Sequence, residues 1–162
     1  QMLFPLRHVF YPGDPSWTEE GQQFAWRMLL RDKGTFFIIY ATDGPSRRMV
    51  EIPMRRLVTP KQLYELSLSP DQLVACAPYL AEWAREEYGF RDVEIRAFVL
   101  TSLNGRKAQL QIDPNLDLLT VNRSIWPQPG IMPLIEPRRE EAWDVPVPKW
   151  LKHLNIKIPV SK

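Results

Sequence analysis

Val93-Glu94-Ile95-Arg96-Ala97-Phe98-Val99-Leu100-Thr101-Ser102-Leu103-Asn104-Gly105-Arg106-Lys107-Ala108-Gln109-Leu110-Gln111-Ile112 is the stretch on which the fold turns. Two apolar runs flank Asn104-Gly105, a dipeptide that accepts the positive φ angles of a type I′ turn. The sequence therefore predicts a β-hairpin with strands over 93–103 and 106–112. A two-residue turn pairs Thr101 with Ala108, Val99 with Leu110 and Ala97 with Ile112 on one face. Leu100 and Phe98 then share the other face with Gln109 and Gln111.

Upstream, Phe36-Phe37-Ile38-Ile39-Tyr40 lies in a strand over 35–42. It is apolar on both faces, which predicts a central strand covered twice. Asp43-Gly44-Pro45-Ser46 reads as a turn, 48–52 as the returning strand and 24–30 as a strand ahead of both, an antiparallel meander. Between meander and hairpin stand two helix starts, Thr59-Pro60-Lys61-Gln62 and Ser69-Pro70-Asp71-Gln72. Each sets a capping hydroxyl, a proline at the first helical position and Gln three residues after the cap. The second helix spans 70–88 and stops at Gly89. Its apolar positions are Leu73, Cys76, Ala77, Leu80 and Ala84, at helical spacing. Pro78 lies inside it and predicts a kink or break.

The expected fold class is thus α+β: an antiparallel sheet with two helices inserted between strands, its closure into a β-sandwich left open. After Asp113-Pro114 the chain turns irregular and proline-rich, so residues 1–137 read as the domain. Residues 138–162 read as an extension that packs on it or leads onward.

Of 162 residues, 44% are hydrophobic and 25% charged, as in globular proteins. A net charge of +2 with scattered basic residues gives no footprint for nucleic acid. Cys76 is the single cysteine, which excludes an internal disulfide, and with His8 and His153 alone beside it a zinc site is not expected. No apolar run approaches the roughly 20 residues of a membrane span. The sequence holds no glycine-rich phosphate loop and no nucleophile signature. The carboxylate pairs Glu19-Glu20, Glu86-Glu87 and Glu140-Glu141 read as solvated faces. Asp113, before Pro114 and near Asp117, reads as a turn-former. The segment 17–28 is dense in aromatic and charged residues. It reads either as a strand with a buried Trp or as a binding surface.

Phe24-Ala25-Trp26-Arg27-Met28, Ser102-Leu103-Asn104-Gly105-Arg106 through Gln109, Ile112-Asp113-Pro114 and Asp117-Leu118 together resemble the soluble domain of the vitamin K-dependent γ-carboxylase and its bacterial relatives. The resemblance runs over about 5–137. It implies a multi-pass membrane parent with this domain outside the bilayer. In the family, reduced vitamin K, O₂ and CO₂ convert peptide glutamate to γ-carboxyglutamate, and the catalytic lysine lies in the membrane domain. No catalytic residue and no cofactor are therefore expected in this chain, and vitamin K hydroquinone or another quinone is implied for the parent alone. The implied substrate-binding residues are Phe24, Trp26, Arg27, Met28, Asn104 and Arg106. The implied partners are the parent's transmembrane domain and a glutamate-containing peptide. Where vertebrate carboxylases read Tyr-Gly-Tyr-Ser-Trp-Asp-Met-Met, this chain reads Gln22-Gln23-Phe24-Ala25-Trp26-Arg27-Met28-Leu29. Trp and the first Met are kept, and Arg27 stands where an acid stood. The alternatives are a non-catalytic peptide- or protein-binding module and a structural domain that braces a membrane bundle.

Overall fold

The computed structural model describes residues 13–19, 31–122 and 128–158. The order is α1 (Pro15–Thr18), β1 (Lys33–Asp43), β2 (Met49–Glu51), α2 (Met54–Leu57), α3 (Pro60–Leu68), α4 (Pro70–Tyr88), β3 (Val93–Leu103), β4 (Gln109–Leu110) and α5 (Trp150–His153). The four strands form one antiparallel sheet in the order β2-β1-β3-β4. This is the expected α+β fold. The strand expected over 24–30 lies outside the described residues. The later two strands of the meander, β1 and β2, pair antiparallel as expected, and β3 takes the opposite edge of β1 along its whole length, from Lys33↔Leu103 to Asp43↔Val93.

Both faces of the sheet are covered, and this explains the strand composition. Odd-numbered residues Ile39, Ala41, Ile95, Ala97 and Val99 pack under α4, whose buried face is Leu73, Val74, Ala77, Leu80, Ala81 and Ala84. Even-numbered residues Phe36, Ile38, Tyr40, Phe98 and Leu100 pack against Trp143, Val147, Trp150, Leu151 and Leu154 of the C-terminal segment. Helices on one side and irregular tail on the other fill the places a second sheet would take. Among the described residues there is one sheet and no sandwich.

The helix starts divide. At α3 the Gln62 amide N–H donates to Thr59 Oγ1 at 3.3 Å, and the Thr59 N–H donates to Gln62 Oε1 at 2.9 Å, a complete capping box. Ser69 makes no side-chain cap for α4, against expectation. It is the closing residue of α3 as well as the opening residue of α4, in extended backbone. Helix α4 ends at Gly89, with φ +67° and its N–H donating to Arg85 O. The expected break at Pro78 does not occur: α4 is a single helix over 19 residues, and Pro78 is on its exposed side. The buried residues on either side of Pro78 hold both halves to the same sheet.

The hairpin keeps its turn and loses its register. Asn104 and Gly105 take φ +50° and +72°, and the Arg106 N–H donates to Leu103 O. Pairing then resumes one residue late, with Thr101↔Gln109 and Leu100↔Leu110. One extra residue on the second strand, a bulge, swaps its faces. Leu110 and Ala108 join Leu100 and Phe98 on the tail side, while Gln111 turns to the helix side. The second strand is also shorter than expected, since Ile112 forms only an isolated bridge to Ile131.

Candidate functional site

The described part of the expected site is the hairpin tip. Asn104 is exposed, and it is stitched to the start of β1: its N–H donates to Asp32 O and its Oδ1 accepts the Asp32 N–H, both at 2.8 Å. Arg106 is half-buried, and its Nη1 donates to Leu103 O at 3.3 Å. Ser102 Oγ donates to Arg106 O at 2.6 Å. Gly105 O accepts the Trp143 N–H, which binds the tip to the tail. The tip is thus a fixed junction of three chain segments. Phe24, Trp26, Arg27 and Met28 lie outside the described residues. Asp32, to which Asn104 is fastened, follows Met28 by four positions in sequence.

Behind the tip, at the same end of the sheet, a buried polar network interrupts the core on the helix side. Thr101 Oγ1 donates to Gln111 Oε1 at 2.8 Å, and Gln111 Nε2 donates to the Trp17 carbonyl at 2.6 Å. Trp17 is 1% exposed, and its indole N–H reaches Met132 O at 2.7 Å. Next to it lies Lys33, whose side chain is buried. Its Nζ meets three acceptors: Leu68 O at 2.6 Å, Glu19 Oε1 at 3.2 Å and Trp17 O at 3.5 Å. Glu19 Oε2 lies 3.0 Å from Arg31 Nη1.

Desolvation dominates this cluster. Burial pulls the Lys33 ammonium down to about 8, against the opposing pull of Glu19. Burial raises the Glu19 carboxyl above its usual range, against Lys33 and Arg31. Three acceptors match the three protons of an ammonium and leave no free lone pair to act as base or nucleophile. The cluster joins α1, β1 and the end of α3. Its chemistry is that of an internal ionic clasp.

Sequence reasoning read Glu19 as a solvated residue and missed this clasp. One signal was present. Lys33 and Thr35 share the parity of Ile39 and Ala41, so a helix-facing β1 carries them inward. The segment around Trp17, read either as a strand with a buried Trp or as a binding surface, begins in a helical turn started by Pro15, with Asp14 accepting the Ser16 N–H and Trp17 buried.

The other candidates have structural roles. Asp113 accepts the Asn115 N–H and shapes the turn, as its place before Pro114 suggested. Asp117 accepts the N–H groups of Ile95 and Leu119, so it ties the loop to β3. Glu86, Glu87, Glu140 and Glu141 are exposed. Cys76 is half-buried, donates to Leu73 O and is pushed up to about 11 by burial, so it is a thiol and not a thiolate. At the far end of the sheet Asp43 accepts from Ser46 Oγ and from the N–H groups of Arg91 and Asp92, which hold its carboxyl down at about 2. No group of three His, Cys, Asp or Glu among the described residues could hold a metal ion.

The family model for the vitamin K-dependent gamma-carboxylase, lumenal domain, matches residues 1–137. The chain belongs to that family. The match covers the sheet, helices α1 to α4, the clasp and the hairpin tip, and it stops before the segment that covers the second sheet face. No curated protein and no solved structure matches the chain. A γ-carboxylase lumenal domain lies outside the bilayer, and no helix among the described residues is long and apolar enough to cross a membrane.

Proposed function

We propose that this chain is the extramembrane domain of a γ-carboxylase-like membrane protein, which covers a membrane-located active site and helps to hold its substrate. The family match over 1–137 carries this reading. The hairpin tip supports it. Asn104 is exposed, and the tip is braced through Asp32 to the strand that follows Phe24, Trp26, Arg27 and Met28 in the chain. Such bracing is what a surface needs to present polar groups in a fixed geometry. The substrate would be a glutamate-bearing peptide. A guanidinium such as Arg27 pairs with carboxylate through two parallel hydrogen bonds, and Trp26 offers a large apolar contact.

Oxidation of vitamin K hydroquinone by O₂ would supply the strong base that takes the glutamate γ-proton. The described residues do not fit that group. Lys33, a buried amine, already has three acceptors about its nitrogen, and its neighbours are the charges Glu19 and Arg31. No catalytic step is therefore routed through the described residues, and in this reading the domain's partner in the reaction is the parent's transmembrane domain.

The test is Arg27→Ala in the full-length parent. Loss of one charge-assisted pair raises KM for a glutamyl peptide about tenfold with kcat and thermal unfolding kept. Unchanged KM at unchanged stability overturns the substrate-holding role and leaves the domain a structural brace.

A further inference from the structure

From Asp144 to Ile158 the chain crosses the even-numbered face of the sheet, and among the described residues its hold there is made by side chains. Its backbone hydrogen bonds among the described residues close on itself: Lys149 to Pro146, Leu154 to Trp150, Asn155 to Lys152 and Ile156 to Leu151. Even the Trp150 indole N–H turns back to Val145 O at 2.7 Å. The anchor is shape. Trp150 is 3% exposed and lies over Gly34, where an added Cβ would meet the indole Cη2 at 3.2 Å. The chain that leads into this segment, 137–142, is exposed at every residue.

Under the segment the sheet is not fully satisfied. Tyr40 and Arg96 are cross-strand partners and point to the covered face. Tyr40 is 4% exposed, and its hydroxyl has no hydrogen-bond partner. Arg96 Nη2 is taken by Glu94 at 2.6 Å, but its Nε is buried and unpaired. A buried donor without an acceptor carries its full desolvation cost. Arg96 keeps 39% of its side chain exposed, so the Tyr40 hydroxyl is the donor that closure of the segment dries and opening rehydrates. This offsets part of the apolar cost of opening.

We propose that residues 144–158 are a strap that opens as one unit about Trp143, held at Gly105, and bares the Tyr40–Arg96 row without unfolding the sheet. The strap lies beyond the residues matched to the family, so the sheet and helices of the lumenal domain need not open with it.

Hydrogen exchange on the full chain, read by mass spectrometry under native conditions, tests this. The strap amides exchange as a block at least tenfold faster than those of β1 and β3. Gly34→Ala pushes on the indole and raises strap exchange about tenfold, with β3 protection unchanged. Tyr40→Phe deletes the hydroxyl that opening hydrates, so strap exchange falls about tenfold. That last sign is opposite to the usual effect of trimming a packed side chain, and one lost atom does not threaten folding. Strap and sheet exchanging together in one event would overturn the proposal, as would a Tyr40→Phe strap that exchanges at the wild-type rate or faster.

Discussion

Lys33 shows what a single residue demands of this fold. A charged amine on the core side of a strand must find acceptors, and it draws Glu19, the Trp17 carbonyl and the end of α3 around it. The cluster is held against desolvation, which moves both titrations unfavourably. Removal of one member is therefore worse than its pair energy suggests, because the others stay buried without compensation. Glu19→Gln leaves Lys33 and Arg31 as two buried cations and is expected to cost about 3 kcal/mol in urea unfolding at pH 7. Lys33→Met costs less, since Arg31 still faces Glu19. The pH dependence has a definite sign. The Lys33 amine releases its proton at about 8 in the folded chain, against an ordinary 10.5. Between those values the unfolded chain holds a proton that the folded chain has lost, so stability rises with pH across that window. The contribution is present above 10.5 and is lost as pH falls through about 8. Wild type should thus gain on Lys33→Met between pH 8 and pH 10. A gap that narrows over that range would refute the burial cost assigned to this amine.

The elements divide into those that local chemistry dictates and those that packing decides. Thr59 with Gln62, Gly89 at the end of α4 and the Asn104-Gly105 turn follow from side-chain and backbone preferences within a few residues, and each was legible. The hairpin register was not. Register is specified when one strand face is apolar and the other polar. Here Phe98 and Leu100 are buried on one face and Ala97 and Val99 on the other, so alternation carried no information. The sequence places Gln109 and Gln111 on one face with Leu100 and Phe98, with no partner to fix them there. In fact Gln109 accepts the N–H groups of Ile135 and Glu136, and Gln111 enters the buried network with Thr101 and Trp17. Both partners are remote in sequence, as they are for Glu19, and no local pattern announces them. The two helix starts offer a paired check, since identical sequence logic meets different structure. Thr59→Ala loses a cap hydrogen bond and is expected to cost about 1 kcal/mol. Ser69→Ala loses none and should stay within about 0.5 kcal/mol. Equal losses in thermal unfolding would mean that Ser69 caps α4 in solution after all.

At the scale of the whole molecule, the two faces of one sheet divide the chain into a part matched to the family and a segment beyond it. The helix face, the clasp and the hairpin tip all fall within 1–137, and the segment over the other face follows. The family and the α+β class were legible because they rest on several blocks in order and on turn and cap chemistry. The architecture of the second face was not, because a proline-rich run with Trp143 and Trp150 has no period from which packing could be read. Within the described residues the buried or hydrogen-bonded groups Lys33, Asp43, Asp117 and Cys76 are already engaged. Lys33 is ringed by acceptors, Asp43 and Asp117 hold backbone N–H groups, and Cys76 stays protonated. General acid–base catalysis needs a group of suitable pKa within reach of a substrate proton, and these are turned to the fold. The 162-residue chain alone is therefore expected to fix no labelled CO₂ into a glutamyl peptide and to form no quinone epoxide. The assay supplies reduced vitamin K, O₂ and bicarbonate, with chain and peptide at high concentration. The same chain should still unfold cooperatively on heating, so that inactivity is not a failure to fold. Turnover above the buffer blank from the purified chain would place reacting groups in this domain and would overturn the assignment of the chemistry to a membrane partner.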